Sequence, residues 1–170
     1  MSRFIAIDHL SCTGCKTCEV VCSLYHFGEC NPLKSAIRII RREKNGLVFC
    51  LPLVCQQCEQ APCIEACPTG ALHRDKKRGI LTIDEEECTE CGLCIEACPA
   101  WCIHIDTENG KVMHCDLCGG QPQCVPACHA HCLAEVDSGE ASEKQNVEYL
   151  ACVIEREELW SFVPGKEARL

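Results

Sequence analysis

Aromatic side chains are scarce in this chain of 170 residues: two tryptophans, two tyrosines and four phenylalanines, 5% in all. Setting cysteine aside from the 47% of hydrophobic residues leaves few large side chains to fill an interior. A chain so furnished struggles to bury enough apolar surface unaided, and the apoprotein is expected to be largely unfolded until another group supplies the core. Long hydrophobic runs are missing too, and none approaches the ~20 apolar residues of a membrane span. The opening Met1-Ser2-Arg3-Phe4 reads as neither an apolar signal segment nor a twin-arginine leader. Positive charge is in deficit, with 16 Lys and Arg against 25 Asp and Glu for a formal charge of −9. That balance excludes a phosphate-binding surface for nucleic acid. The local cluster Arg38, Arg41, Arg42 and Lys44 reads as a solvated hairpin face, or as a contact for an acidic partner. Neither G-x-G-x-x-G nor a P-loop occurs. The expected compartment is the cytoplasm of an anaerobe.

Cysteine is what the chain has in excess, with 21 residues, of which sixteen fall into four runs. These are Cys12, Cys15, Cys18, Cys22; Cys55, Cys58, Cys63, Cys67; Cys88, Cys91, Cys94, Cys98; and Cys115, Cys118, Cys124, Cys128. The first and third follow C-x-x-C-x-x-C-x-x-x-C, the spacing in which three thiolates wrap one iron–sulfur cube and the fourth reaches a neighbouring cube. Each iron corner takes one soft thiolate, and two intervening residues let a tight loop curl round the cube. Every run therefore implies a second run, and four runs predict four 4Fe–4S clusters in a chain that carries electrons. All four ligand sets are complete, with no open iron at which a substrate could react, so catalysis is expected in a partner.

Runs two and three share a Cys-Pro exit, Cys67-Pro68 and Cys98-Pro99, followed by short apolar stretches from Thr69 to Leu72 and from Ala100 to Ile103. They look like two halves of one internal repeat. Ser23 and His129 stand in the proline position of runs one and four, whose exits are less determined. Paired C-x-x-C elements also build zinc ribbons, but zinc requires neither the third cysteine two residues on nor the Cys-Pro exit. A disulfide scaffold suits short secreted chains better than this one. Cys30, Cys50, Cys102, Cys132 and Cys152 stand outside the runs and read as small buried core residues. Cys132, in Cys128-His129-Ala130-His131-Cys132, is the exception, being able to replace Cys128 if the loop is built differently. His129 and His131 are ligands in principle and exposed imidazoles by default.

Between the runs the pattern is one of short strands and turns. Asn45-Gly46 between Arg38-Ile39-Ile40-Arg41 and Leu47-Val48-Phe49 is a strong hairpin signal. A second hairpin is predicted from Ala71-Leu72-His73 and Ile80-Leu81-Thr82-Ile83, and a third from Ile103-His104-Ile105 and Lys111-Val112-Met113. The fourth cysteine of each run is expected at the start of a helical turn. Beyond Leu133 the chain turns acidic, and Asp137 to Glu143 reads as a solvated loop. Val147 to Phe162, with Leu150, Val153, Ile154 and Trp160 among four glutamates, reads as a strand and short helix on the body, or as a docking tail.

The string Cys55-Gln56-Gln57-Cys58-Glu59-Gln60-Ala61-Pro62-Cys63-Ile64-Glu65-Ala66-Cys67-Pro68 resembles the second motif of the four-cluster electron-transfer subunits that serve molybdenum and tungsten enzymes. Cys12-Thr13-Gly14-Cys15-Lys16-Thr17-Cys18-Glu19 through Asn31-Pro32 looks more like the small polyferredoxin subunits beside tungsten aldehyde oxidoreductases. The resemblance covers about Ile5 to Cys132. It implies that run one pairs with run four and run two with run three. Cys12, Cys15 and Cys18 would then share a cluster with Cys128, and Cys115, Cys118 and Cys124 with Cys22. Cys55, Cys58 and Cys63 would share one with Cys98, and Cys88, Cys91 and Cys94 with Cys67. One departure is the gap from Cys118 to Cys124, shorter than in the family's longest members.

The fold expected is α+β: tandem bacterial-ferredoxin-like modules, with short hairpins and helical turns around iron–sulfur clusters, over residues 1–135. An acidic C-terminal extension, 136–170, would follow. The resemblance further implies a large catalytic partner, a tungsten or molybdenum pterin enzyme, with tungsten aldehyde oxidation the favoured case. Electrons would pass on to a flavin or nicotinamide subunit or to a ferredoxin. The alternative is a free soluble multi-cluster ferredoxin, or a subunit of a molybdenum enzyme or hydrogenase. Two clusters suffice for a shuttle, so four favour a wire between fixed sites. Clusters at both ends of such a wire would also let copies join head to tail in a filament.

Overall fold

A computed structural model describes residues 3–44, 47–106 and 108–137. The expected C-terminal tail and Cys152 lie outside these described residues, and the boundary expected after residue 135 falls within the last described strand. The regular elements are short. β1 (Arg3–Ile7) precedes α1 (Thr17–Phe27), and a 3-10 turn (Pro32–Lys34) leads to β2 (Arg38–Lys44) and β3 (Leu47–Leu53). Then follow α2 (Pro62–Glu65), β4 (Leu72–Arg74), β5 (Leu81–Ile83), α3 (Leu93–Ala97), β6 (His104–Ile105), β7 (Val112–Met113), α4 (Cys124–Ala127) and β8 (Leu133–Asp137).

The three expected hairpins are present as the antiparallel pairs β2–β3, β4–β5 and β6–β7. A fourth pair was not foreseen: β1 runs antiparallel to β8, with Arg3 opposite Asp137 and Ile7 opposite Leu133. Phe4, Ile5 and Leu133 are buried in this pair, and Arg3 meets Glu135 at 2.7 Å at its exposed end. The helices follow the same nesting, since α1 packs on α4 and α2 on α3. The first run is thereby brought to the fourth, and the second to the third.

The fourth cysteines close helical turns rather than open them. Cys98 and Cys128 are the C-caps of α3 and α4, and Cys67 follows the cap of α2. Pro68 and Pro99 cannot donate a backbone N–H to continue a helix, so the turn ends at the cysteine before them. It is the third cysteine that falls in the first turn: Cys63, Cys94 and Cys124. In run one, where Ser23 stands in the proline position, the helix goes on past the fourth cysteine, whereas run four, with His129 there, still ends at Cys128. The Ser23 hydroxyl donates to Val20 O at 2.9 Å and accepts from Asn31 N at 3.1 Å, and α1 continues to Gly28. There a left-handed residue at φ 70° returns its N–H to Leu24 O and ends the helix.

The interior is a mosaic of aliphatic side chains and sulfur. Ile37, Leu51, Leu53, Leu72, Ile80, Leu81, Ile103 and Leu117 are fully buried, with Cys18, Cys22, Cys55, Cys63, Cys98, Cys115 and Cys124 in the same cluster. Two expectations about the surface are corrected. Arg38 is no solvated hairpin charge: it is half-buried and donates to Trp101 O at 3.3 Å. Cys30, expected in the core, is exposed, because it lies past the end of α1 in an open loop.

Candidate metal centres

Each run bends the chain in the same way. The residue just before the second cysteine has positive φ: Gly14 at 69°, Gln57 at 52°, Glu90 at 55° and Leu117 at 54°. Lys16, Gly92 and Gly119 repeat this just after the second cysteine in runs one, three and four. A left-handed residue in a turn swings successive N–H groups toward one side and makes a concavity suited to an anion. For a side-chain-bearing residue the conformation costs ~1–2 kcal/mol, and such strain is retained where a site demands it. Gly14 meets a second demand, because a Cβ there would sit 2.5 Å from Cys50 Sγ.

Thiols from distant runs meet behind these loops. Cys67, Cys88, Cys91 and Cys94 line one hollow, walled by Leu72, Ile83 and Val112. A second is lined by Cys12, Cys15, Cys18 and Cys128, joined by Cys132, and walled by Ile39, Pro52 and Leu133. The two other expected sets show in the charges that buried thiols feel. Cys55 responds to Cys58, Cys63 and Cys98, while Cys22 acts on Cys115, Cys118 and Cys124.

The sets also neighbour one another in one order. Cys63 feels Cys94, Cys115 feels Cys55, and Cys124 feels Cys18. The succession therefore runs from the Cys67 hollow through the Cys55 and Cys115 groups to the Cys12 hollow.

Burial pushes these thiols up, Cys18 and Cys124 to about 12 and Cys63, Cys94 and Cys118 to about 11. Cys55 and Cys115 are raised well above the ordinary value for the same reason. Thiols in such hollows keep their protons until a metal displaces them, so ligation and folding are coupled. The more exposed Cys15 is lowered, chiefly by the Thr17 hydroxyl, and Cys98 is held down to about 6, chiefly by the Cys102 thiol. Backbone N–H groups also point at sulfur: Ala36 N at Cys22, Gln57 N at Cys55 and Cys102 N at Cys98, each at 3.4 Å. Hydrogen bonds to sulfur are among the levers that set cluster potentials. Soft donors, four in one hollow and five in the other, with apolar walls and inward N–H groups fit an iron–sulfur cube.

Several supporting residues carry no motif. Gln57 is buried and stitches the body together, donating to Cys115 O at 2.6 Å and accepting from Leu81 N at 2.8 Å. Arg74 holds the same loop from β4, donating to Gln57 O, Cys58 O and Gly79 O. Asp116 accepts from Cys118 N at 2.9 Å, and His26 on α1 lies 3.4 Å from its carboxylate and 3.8 Å from Cys118 Sγ. Their signal in the sequence would have been polar residues inside or beside the runs, which pattern reading passes over. His129 and His131 are exposed, the former with Nδ1 3.6 Å from Cys15 Sγ. Cys50, Cys102 and Cys132 are buried.

A 4Fe-4S dicluster domain family matches residues 47–138, and a 4Fe-4S binding domain matches residues 9–25. The polyferredoxin-like subunit of aliphatic sulfonate oxidoreductase from Pyrococcus furiosus is 44% identical over 126 residues, 74% of this chain and 71% of that protein. The electron transport protein HydN of Escherichia coli is 32% identical over 158 residues, covering 81% of this chain and 89% of that one. One chain of the active site complex BamBC of benzoyl coenzyme A reductase, as isolated, aligns with 91% of this chain and 90% of its own at 25% identity and a TM-score of 0.47.

Proposed function

Because the chain belongs to the 4Fe-4S dicluster domain family, we propose that it is the electron-transfer subunit of an oxidoreductase complex and holds four 4Fe–4S clusters. Cys12, Cys15, Cys18 and Cys128 would hold one, and Cys22, Cys115, Cys118 and Cys124 a second. Cys55, Cys58, Cys63 and Cys98 would hold a third, and Cys67, Cys88, Cys91 and Cys94 a fourth. Bound there, the clusters supply one-electron carriers. The chain's own part is to fix the thiols in order, keep water out with aliphatic walls, and offer N–H groups to sulfur.

The observation that carries this reading is the packing of α1 on α4 and of α2 on α3, which brings the first run to the fourth and the second to the third. A line of four suits transfer between two fixed sites, whereas a shuttle needs fewer. We place catalysis in a large partner, a tungsten pterin subunit oxidising aldehydes, as the opening motif suggests. Electrons would leave toward a flavin or nicotinamide subunit or a ferredoxin. A sulfonate in place of the aldehyde is a second reading, favoured by the Pyrococcus furiosus relative; a free ferredoxin is a third, favoured by HydN. None of the described helices is long and apolar enough to cross a membrane, and the proposed location is the cytoplasm. Head-to-tail filaments remain part of the proposal, and light scattering showing only a discrete small complex would remove that part.

The test is anaerobic purification of the tagged chain from its native host, with identification of co-purifying chains and metal analysis. About sixteen irons per chain together with a large tungsten partner is the expected result. Molybdenum would redirect the partner, iron without a partner would favour the free ferredoxin, and zinc in place of iron would overturn the reading.

A further inference from the structure

Runs three and four each carry an extra cysteine four residues past the fourth: Cys102 after Cys98 and Cys132 after Cys128. Both follow the same turn. Trp101 and His131 have φ of 48° and 50°, and their N–H groups return to Cys98 O at 3.2 Å and Cys128 O at 3.0 Å. Run two makes this turn as well, through Gly70 and its N–H to Cys67 O, yet ends it in Ala71. The turn therefore asks for a small residue at that place and not for a thiol.

What the two thiols do differs. Cys102 lies outside the ligand group, with its Sγ 3.0 Å from Ala100 O and its backbone N–H donating to Cys98 Sγ at 3.4 Å. Cys132 faces inward, lining the same hollow as Cys12, Cys15, Cys18 and Cys128. Its Sγ lies 3.4 Å from Cys128 Sγ and within hydrogen-bonding reach of Cys12. Both are buried, Cys128 at 7% exposure and Cys132 at 5%. Asp8 N holds Cys132 O at 2.8 Å, so the residue is anchored where β1 meets β8. This hollow offers five thiols for four iron corners, while the Cys67 hollow offers four.

We propose that Cys132 is a reserve ligand of this terminal centre, so that either Cys128 or Cys132 completes its fourth corner. The inference rests on the proposed cluster at Cys12, Cys15 and Cys18. The exchange balances without an outside reagent: the iron–sulfur bond to Cys132 forms as the bond to Cys128 breaks, and the proton leaving the Cys132 thiol passes to the Cys128 thiolate. The oxidation state of iron and the charge of the site are unchanged. The end of the file thus keeps a complete ligand set when Cys128 is pulled away.

The experiment compares the full chain, purified anaerobically with its clusters, as wild type, Cys128→Ala, Cys132→Ala, the double variant and Cys67→Ala. Iron is counted, and electron paramagnetic resonance is recorded in oxidised and reduced samples. Wild type, Cys128→Ala and Cys132→Ala are expected to keep the same iron count, with the reduced spectrum of Cys128→Ala shifted. The double variant and Cys67→Ala should each lose iron from one centre and show a three-iron signal on oxidation. A wild type without four-iron clusters overturns the underlying reading. An intact wild type alongside a three-iron signal in Cys128→Ala overturns the reserve ligand alone. So does failure of Cys128→Ala to assemble where Cys132→Ala assembles, and so does full iron retention in Cys67→Ala.

Discussion

Replacing Gly14 by alanine makes two demands that can be separated. The backbone there is left-handed at φ 69°, which costs an L side chain ~1–2 kcal/mol. The new Cβ also falls 2.5 Å from Cys50 Sγ, while Cys50 Cβ would be at an ordinary 3.5 Å. Cys50 is buried on β3 opposite Arg41 and has little room to retreat, so relief of the overlap is expected to cost a further ~1–3 kcal/mol. Together this is about 2–5 kcal/mol. If the strain is released as the loop opens, iron–sulfur absorbance should disappear at least about thirtyfold faster in anaerobic guanidinium, at 1.4 kcal/mol per factor of ten. Cys50→Ala alone removes one buried sulfur and should cost ~1 kcal/mol. In Gly14→Ala/Cys50→Ala the overlap is gone and only the backbone cost and the small cavity remain, so the double variant should be more stable than the single Gly14→Ala. A coupling of ~1–3 kcal/mol in that cycle is the expected reading. Strict additivity, or a Gly14→Ala chain that holds its clusters like wild type, would refute the reasoning.

Gln57→Ala strands Cys115 O and Leu81 N in the interior; at ~1–3 kcal/mol for each orphaned group, cluster loss in guanidinium should accelerate more than tenfold. Glu90→Gly should act in the other direction, since the exposed Glu90 sits at φ 55°; relief of ~1 kcal/mol would slow cluster loss up to about fivefold, and faster loss would contradict the strain argument. His104 is held down to about 3, first by burial and then by the charge of Arg38. As pH falls below the ordinary histidine value of ~6.5, the unfolded chain takes up a proton that the folded chain refuses, so stability falls by ~1.4 kcal/mol per pH unit down to about 3. Between pH 7 and 5, His104→Phe should therefore lose its clusters with a flatter pH profile than wild type, and identical profiles would count against the assignment. Stripping iron with a chelator in mild denaturant should abolish far-ultraviolet circular dichroism in step with iron loss, and a retained native spectrum would show that the chain folds on its own.

The cysteine runs and the hairpins were legible because their signals are local. Cysteine spacing states which thiols share a loop, and turn residues such as Asn109-Gly110 stand between the strands they join. The closing pair β1–β8 was not legible: each strand has five residues, and Arg3 and Glu135 meet across 132 positions. The left-handed residues escaped notice for another reason. Gln57, Glu90 and Leu117 are not glycine, and only the curl of the loop imposes the conformation. The direction of the helical turns was misjudged, although Pro68 and Pro99 hold the clue, since a residue before proline is steered out of the helical region. Arg38 looked solvated because charge was weighed without the Trp101 carbonyl that receives it.

The nesting of first run with last also sets an order in time. The hollow of Cys67, Cys88, Cys91 and Cys94 has all its walls once residue 94 and the strand through Val112 are made, whereas Cys12, Cys15 and Cys18 must wait for Cys128. At synthesis rates of ~5–20 residues per second, the lag between Cys94 and Cys128 is about 2–7 s. Through that interval, and the longer one before it, the first three thiols leave the ribosome without their fourth. In the proposed grouping the Cys67 site can therefore fill while the chain is still being made, whereas the Cys12 site fills only after residue 128 has emerged.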